Sequence, residues 1–307
     1  MRRMLLTLCL LAIPAAVHAQ AKKDPPPPLP KPTATLKYGD HERQVIDFWK
    51  AESDKPTPVL LFIHGGGWRG GDKSGVGAAR IKKCLDAGIS VAAINYRYTQ
   101  QAQEAKVEPP VKAPLEDAAR ALQTIRSKAG EWNIDKKKIA ATGGSAGGCS
   151  SLWLAFHDDL ADPKSTDPIA RESTRLYAAA VDGAQTTLDP TPLREWMPNY
   201  GYGAHAFGLA SFQELIDNRE KVLKWINEYS PMAHVSKDDP PIYLFYGGDA
   251  MPPKGDKPKD PTHSVLLGAL LTEKLKANNV ESALILTGAK EKKYTDSTSC
   301  LVDVLKK

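Results

Sequence analysis

One short run constrains the fold of this chain more than any other: Gly143-Gly144-Ser145-Ala146-Gly147-Gly148, directly after the strand-like stretch Lys138–Thr142 and directly before an apolar, helix-like one. It fits G-x-S-x-G. A strand that turns into a helix within two residues brings two backbones close together, and small residues at 143 and 147 leave room for that crossing. The serine at the apex must then take a strained φ/ψ with its hydroxyl outward, beside a helix N-terminus that favours negative charge.

The rest of the chain supplies the sheet such a turn needs. Val59–Ile63 and Ser90–Tyr96 read as buried strands, as do Lys138–Thr142, Tyr177–Val181, Pro241–Tyr246 and Glu281–Leu286. Leu115–Ala129, Ser264–Ala277 and Cys300–Lys307 read as helices. Alternation of this kind predicts an α/β fold with a mostly parallel twisted sheet flanked by helices. Gln185–Lys237 breaks the alternation, and its aromatic content reads as a partly helical cap insertion over the site.

At 307 residues, with 42% hydrophobic and 25% charged residues, the chain can bury one large core, placed here at 34–307. Met1–Ala19 has the form of a Sec-type signal peptide: basic Arg2 and Arg3, an apolar stretch from Leu5 to Ala16, and Val17-His18-Ala19 with small residues at −3 and −1. Cleavage is expected after Ala19, giving a secreted or periplasmic protein, and no segment reads as a membrane span. Cys9 lies inside the apolar stretch behind Leu8, which argues against lipidation. Residues 20–33 read as a proline-rich linker. The net charge of +5 falls to about +3 without Arg2 and Arg3, too small and dispersed to imply a nucleic-acid partner. Cys84, Cys149 and Cys300 remain, an odd count that excludes a disulfide scaffold.

His64-Gly65-Gly66-Gly67-Trp68 closes the Val59–Ile63 strand. Its glycines let backbone N–H groups turn toward a ligand, and Gly66 or Gly67 with Ala146 N–H would form an oxyanion hole beside Ser145. The Gly-Lys-Ser/Thr ending of a phosphate loop is absent. His64 reads as a residue that orders this loop.

These two glycine runs, with Asn95-Tyr96-Arg97-Tyr98, Asp117-Ala118, Trp132-Asn133-Ile134-Asp135, Ser230-Pro231 and Asp239-Pro240-Pro241, resemble the HGGGW-bearing esterase/lipase branch of the α/β-hydrolases. The chain is similar to the BD-FAE and hormone-sensitive-lipase-like carboxylesterases over about residues 38 to 290. The resemblance implies an α/β-hydrolase fold and a serine hydrolase that works through an acyl-enzyme without a metal or cofactor. It implies Ser145 as nucleophile and an acid at Asp249, in Gly247-Gly248-Asp249 ahead of Pro252-Pro253; Asp182 is the alternative acid.

The resemblance also implies a histidine after the last strand, and there the chain departs from it. Thr287–Tyr294 carries none. Of the other histidines, His18 lies in the leader and His41 is too early. His263, just ahead of the Ser264–Ala277 helix, is the best-placed base, with His205 and His157 as alternatives and His234 read as structural. Asp158, Asp159, Asp162 and Asp167 lack the regular spacing of a calcium loop and read as a solvated acidic turn. A secreted carboxylic-ester hydrolase, acting on esters of small molecules or extracellular polysaccharide, is therefore expected. The alternative is a non-catalytic binding protein of the same fold that lacks a base.

Overall fold

The computed structural model describes residues 27–290 and 292–307, so the expected signal peptide lies outside the described residues. Eight strands form one sheet: β1 (Ala34–Lys37), β2 (Val45–Trp49), β3 (Thr57–Ile63), β4 (Ser90–Ile94), β5 (Ile134–Gly144), β6 (Ala178–Asp182), β7 (Ile242–Tyr246) and β8 (Ser282–Leu286). Their spatial order is β1-β2-β4-β3-β5-β6-β7-β8. β1 and β2 pair antiparallel at one edge, and every pairing from β4 to β8 is parallel. The six parallel strands are those expected from the sequence. The edge strand β1 is short and half exposed, which leaves little apolar signal to read.

The central strands bury both faces, and their period of two sorts side chains between two cores. Leu61, Ile63, Ala141, Val181 and Leu244 face the larger core, which is covered by helices Lys112–Ser127, Ala146–Phe156 and Val265–Ala277. Leu60, Phe62, Ala140, Ala180 and Phe245 face the smaller one, closed by Ala78–Asp86 and Ser297–Leu305. Alanines on β5 and β6 let the helices approach the sheet closely.

Gln185–Lys237 forms helices at Pro190–Trp196, Phe212–Asp217 and Arg219–Tyr229, with 3₁₀ turns at Ala204–Phe207 and Pro231–His234. Residues 27–33, read as linker, lie along the sheet edge: Pro30 C=O accepts from Trp49 Nε1 at 2.9 Å and Leu29 packs on the smaller core. Cys84, Cys149 and Cys300 are buried free thiols. Burial pushes the Cys84 thiol up to about 12.

Candidate active site

β5 runs straight into the helix Ala146–Phe156, and Ser145 at the junction has φ 53° and ψ −124°. That left-handed backbone is costly for a residue with a side chain, and it survives because the crossing is over-determined. A Cβ on Gly143 would stand 2.3 Å from Ile63 O, and one on Gly147 would stand 2.1 Å from the same oxygen. β3 therefore lies too close to this turn for any larger residue. Ser145 N–H donates to Asp182 C=O at 2.9 Å, which ties the turn to β6 as well.

The glycine loop after β3 lies beside Ser145: a Cβ on Gly65 would come 3.5 Å from Ser145 Cβ. Gly66, Gly67 and Trp68 all have positive φ, at 96°, 64° and 55°. Among the described residues no acceptor meets the N–H groups of Gly66, Gly67 or Ala146, the last standing at the first helical position. These donors are free for an anionic oxygen.

Several side chains hold the loop in that shape. Trp68 is fully buried, and its Nε1 donates to Ser150 Oγ at 3.0 Å, fixing the loop to the second turn of the serine helix. Tyr96 Oη donates to His64 C=O at 2.8 Å and to Gly65 C=O at 3.1 Å, and its ring stacks on His64 at 4.1 Å. The segment carrying Tyr96 is anchored by Arg97, whose guanidinium grips the buried Asp117 carboxylate. His64 Nδ1–H donates to Gly65 C=O, while its Nε2 accepts from Arg43 at 3.3 Å. Burial lowers the His64 imidazole from 6.5 to about 4, so it is neutral at physiological pH. The motifs around residues 64, 95 and 117 are thus one buttress.

The imidazole that reaches the serine is His263: its Nε2 lies 3.0 Å from Ser145 Oγ. His263 ends the 3₁₀ turn Pro261–His263 in the β7 to β8 connection, and its ring packs over Gly183, where a Cβ would stand 3.6 Å from ring atom Cδ2. Neighbouring backbone is pinned on both sides. Thr262 C=O accepts from Gln185 Nε2 at 2.8 Å, and Ser264 Oγ caps the following helix by accepting from Leu266 N–H.

The carboxylate beside His263 is Asp260, with Oδ2 2.8 Å from Nδ1. Asp249 is not brought there. It stands exposed three residues after β7, and among the described residues no hydrogen bond or ion pair meets its carboxylate. The reason is local geometry. A 3₁₀ turn has three residues per turn, so side chains at i and i+3 eclipse, and Asp260 at the turn's start lies over His263 at its end. The hydrogen bond from His263 holds the Asp260 carboxyl below the usual range. Asp182 is ruled out by strand parity: its carboxylate faces the smaller core, where it accepts from Ser297 Oγ at 2.6 Å.

The other histidines have separate engagements. His205 Nε2 donates to Gly67 C=O at 2.8 Å, with Tyr202 packed against its ring and the Tyr202 hydroxyl crowding Gly67. The segment from 185 to 237 thus presses on the glycine loop. His157 closes the far end of the 11-residue serine helix, about 18 Å from Ser145 at 1.5 Å per residue. Of the four aspartates near 160, Asp159, Asp162 and Asp167 each accept a backbone N–H two residues on. They cap separate turns rather than converge. Asp260 is the residue sequence reasoning missed, although Asp-Pro ahead of a short turn, with histidine three residues after the Asp, is a readable signal.

A hydroxyl facing one imidazole nitrogen, a carboxylate on the other, and free N–H groups alongside can move a proton and hold a developing oxyanion. Comparisons with known proteins bear on the family and the fold. Residues 46–254 match the model of the BD-FAE family, a span that stops short of Asp260 and His263. The chain is 28% identical over 220 residues to the probable carboxylic ester hydrolase LipM of Mycobacterium tuberculosis, covering 69% of this chain and 46% of that protein. The chain spans about half the length of the curated relatives it matches. A carbohydrate esterase from gut microbiota, solved in truncated form, superposes with TM-score 0.64 at 19% identity, over 90% of this chain and 98% of that one. An acetyl ester-xyloside bifunctional hydrolase from Caldicellulosiruptor lactoaceticus gives 0.59 at 21% identity, over 83% and 85%. At such identities these structures establish the α/β-hydrolase fold.

Proposed function

The chain belongs to the BD-FAE family, and from that premise we propose that it hydrolyses carboxylic esters through an acyl-enzyme on Ser145. The 3.0 Å approach of His263 Nε2 to Ser145 Oγ carries this reading. His263 takes the hydroxyl proton as Ser145 Oγ attacks the ester carbonyl, and Asp260 on Nδ1 fixes the tautomer that leaves Nε2 basic. The carbonyl oxygen gains the negative charge and is held by the N–H groups of Gly66, Gly67 and Ala146. His263 then returns the proton to the departing alkoxide. A water molecule, deprotonated by the same nitrogen, releases the acid and restores the serine.

The substrate class is read from the structural neighbours. The relatives described as acting on acetyl ester-xyloside and carbohydrate support an ester carried on extracellular polysaccharide. Export supports it too: the Met1–Ala19 leader and its cleavage after Ala19 belong to the same proposal.

Fluorophosphonate labelling tests the chemistry directly. Wild type is expected to be captured covalently and Ser145→Ala not at all, with His263→Ala slowed strongly. A wild-type chain that fails to label overturns the catalytic reading and favours a binding protein of this fold. For the substrate, release of acetate from acetylated xylan is expected to exceed release of butyrate from a butyryl ester of a simple alcohol. The reverse preference overturns the polysaccharide assignment.

A further inference from the structure

At the far end of the serine helix, His157, Glu228 and His234 come together from three different elements. His157 follows the last residue of the helix, Glu228 lies in the final turn of Arg219–Tyr229, and His234 ends the 3₁₀ turn Pro231–His234. One nitrogen from each imidazole and one carboxylate oxygen lie within 4.8 Å of one another, and the two rings stand 4.6 Å apart. Nothing in the reaction of Ser145 uses them.

Their hydrogen bonds orient both rings. His157 Nδ1 lies 2.9 Å from Asp158 C=O, and a carbonyl only accepts, so Nδ1 carries the hydrogen. In the neutral ring Nε2 is then a lone pair, yet it stands 3.2 Å from Glu228 Oε1, another acceptor. Either a proton on Nε2 or a metal ion lets these two atoms stand at that distance. His234 repeats the pattern: its Nε2–H donates to Glu228 C=O at 2.7 Å, which leaves Nδ1 as the basic nitrogen. Glu228 C=O is set by a second donor, Trp153 Nε1 at 2.9 Å, and the Trp153 ring packs on His157 at 4.7 Å. Imidazoles oriented by backbone carbonyls, as both are here, are how metal ligands are held.

We propose that His157, Glu228 and His234 form a site for one divalent transition-metal ion of the zinc, cobalt or nickel type, pinning the end of the serine helix to the 185–237 segment. Two nitrogens and one carboxylate oxygen suit these ions and are a poor set for calcium or magnesium. Three protein ligands leave a fourth tetrahedral position for water. The ion plays no part in the chemistry, and its effect is on stability.

The test uses the untagged full chain, stripped with a chelator and titrated with Co²⁺ and Zn²⁺. One equivalent is expected to bind with a dissociation constant of about 10 μM or tighter, to give visible Co²⁺ absorption of a low-coordinate site, and to raise the melting temperature by several degrees. His157→Ala/His234→Ala is expected to abolish the absorption and the metal-dependent shift while keeping ester hydrolysis in the absence of metal. Glu228→Gln, which preserves shape, is expected to weaken binding about tenfold. No binding by wild type up to 1 mM, or binding unchanged in both variants, overturns the proposal. A proton alone then bridges His157 and Glu228.

Discussion

The two halves of the site are held in opposite ways. Around Ser145 and the glycine loop, backbone meets backbone: Gly143 and Gly147 press on Ile63 C=O, Trp68 is fully buried, and His64 is 3% exposed. Around His263 the side chains are open, with 43% of the imidazole and 64% of Asp260 exposed, on a connection of eighteen residues from Gly247 to Ser264. The first half cannot move without unpacking a core. The second rests on the Gln185 hydrogen bond, a helix cap and Gly183. Positions that bind a developing charge are thus built into the sheet, and positions that move a proton are carried on a loop.

Substitutions can break this contrast. Ser145→Ala and His263→Ala are expected to lower kcat/KM by on the order of 10⁴–10⁶, each leaving the melting temperature nearly unchanged. A His263→Ala enzyme of near wild-type rate would show that the loop half is dispensable. Asp260→Asn is expected to cost about 10²–10⁴ in kcat, because the amide permits the wrong tautomer, while Asp249→Asn stays within about twofold. Equal losses in both would return the acid to Asp249.

Stability should fall on the other half. Gly147→Ala is expected to destabilise by about 3 kcal/mol or more, against the roughly 1 kcal/mol that alanine normally gains in a helix. Gly144→Ala, whose Cβ would find its nearest neighbour at 3.6 Å, should change stability by less than about 1 kcal/mol in chemical denaturation. A last effect concerns pH. His64 titrates at about 4 in the folded chain and near 6.5 unfolded, so the unfolded state binds the extra proton between those values. Its contribution is full above pH 6.5 and is lost as pH falls through about 4, a change of roughly 2–3 kcal/mol. Urea unfolding from pH 7 to pH 4 should show it, and His64→Asn should flatten the curve.

What the sequence disclosed follows the same division. The six parallel strands, the Ser145 turn and the glycine loop were legible because close backbone approach demands glycine and buried strands demand apolar runs. Asn95–Tyr98 and Asp117 were visible only as a family pattern, and the structure gives their reason: they brace residues 64 and 65. The acid position was read at Asp249 by likeness to relatives, whereas the carboxylate at His263 comes from a turn beyond the family match. An exposed loop imposes no apolar pattern, so its geometry leaves a trace only in short-range signals such as Asp-Pro-Thr-His. β1 was missed because a half-exposed edge strand carries too few apolar residues to stand out.

Asp260 and His263 are three residues apart, and their contact is made within a single turn of chain. Their mutual arrangement therefore costs almost no loop-closure entropy; only the docking of the turn against Gly183 does. Any excursion that lifts His263 from Ser145 carries Asp260 with it, so the imidazole leaves still paired. The serine is then either fully equipped or fully alone, and insertions elsewhere in the eighteen-residue connection can relocate the pair as one portable unit.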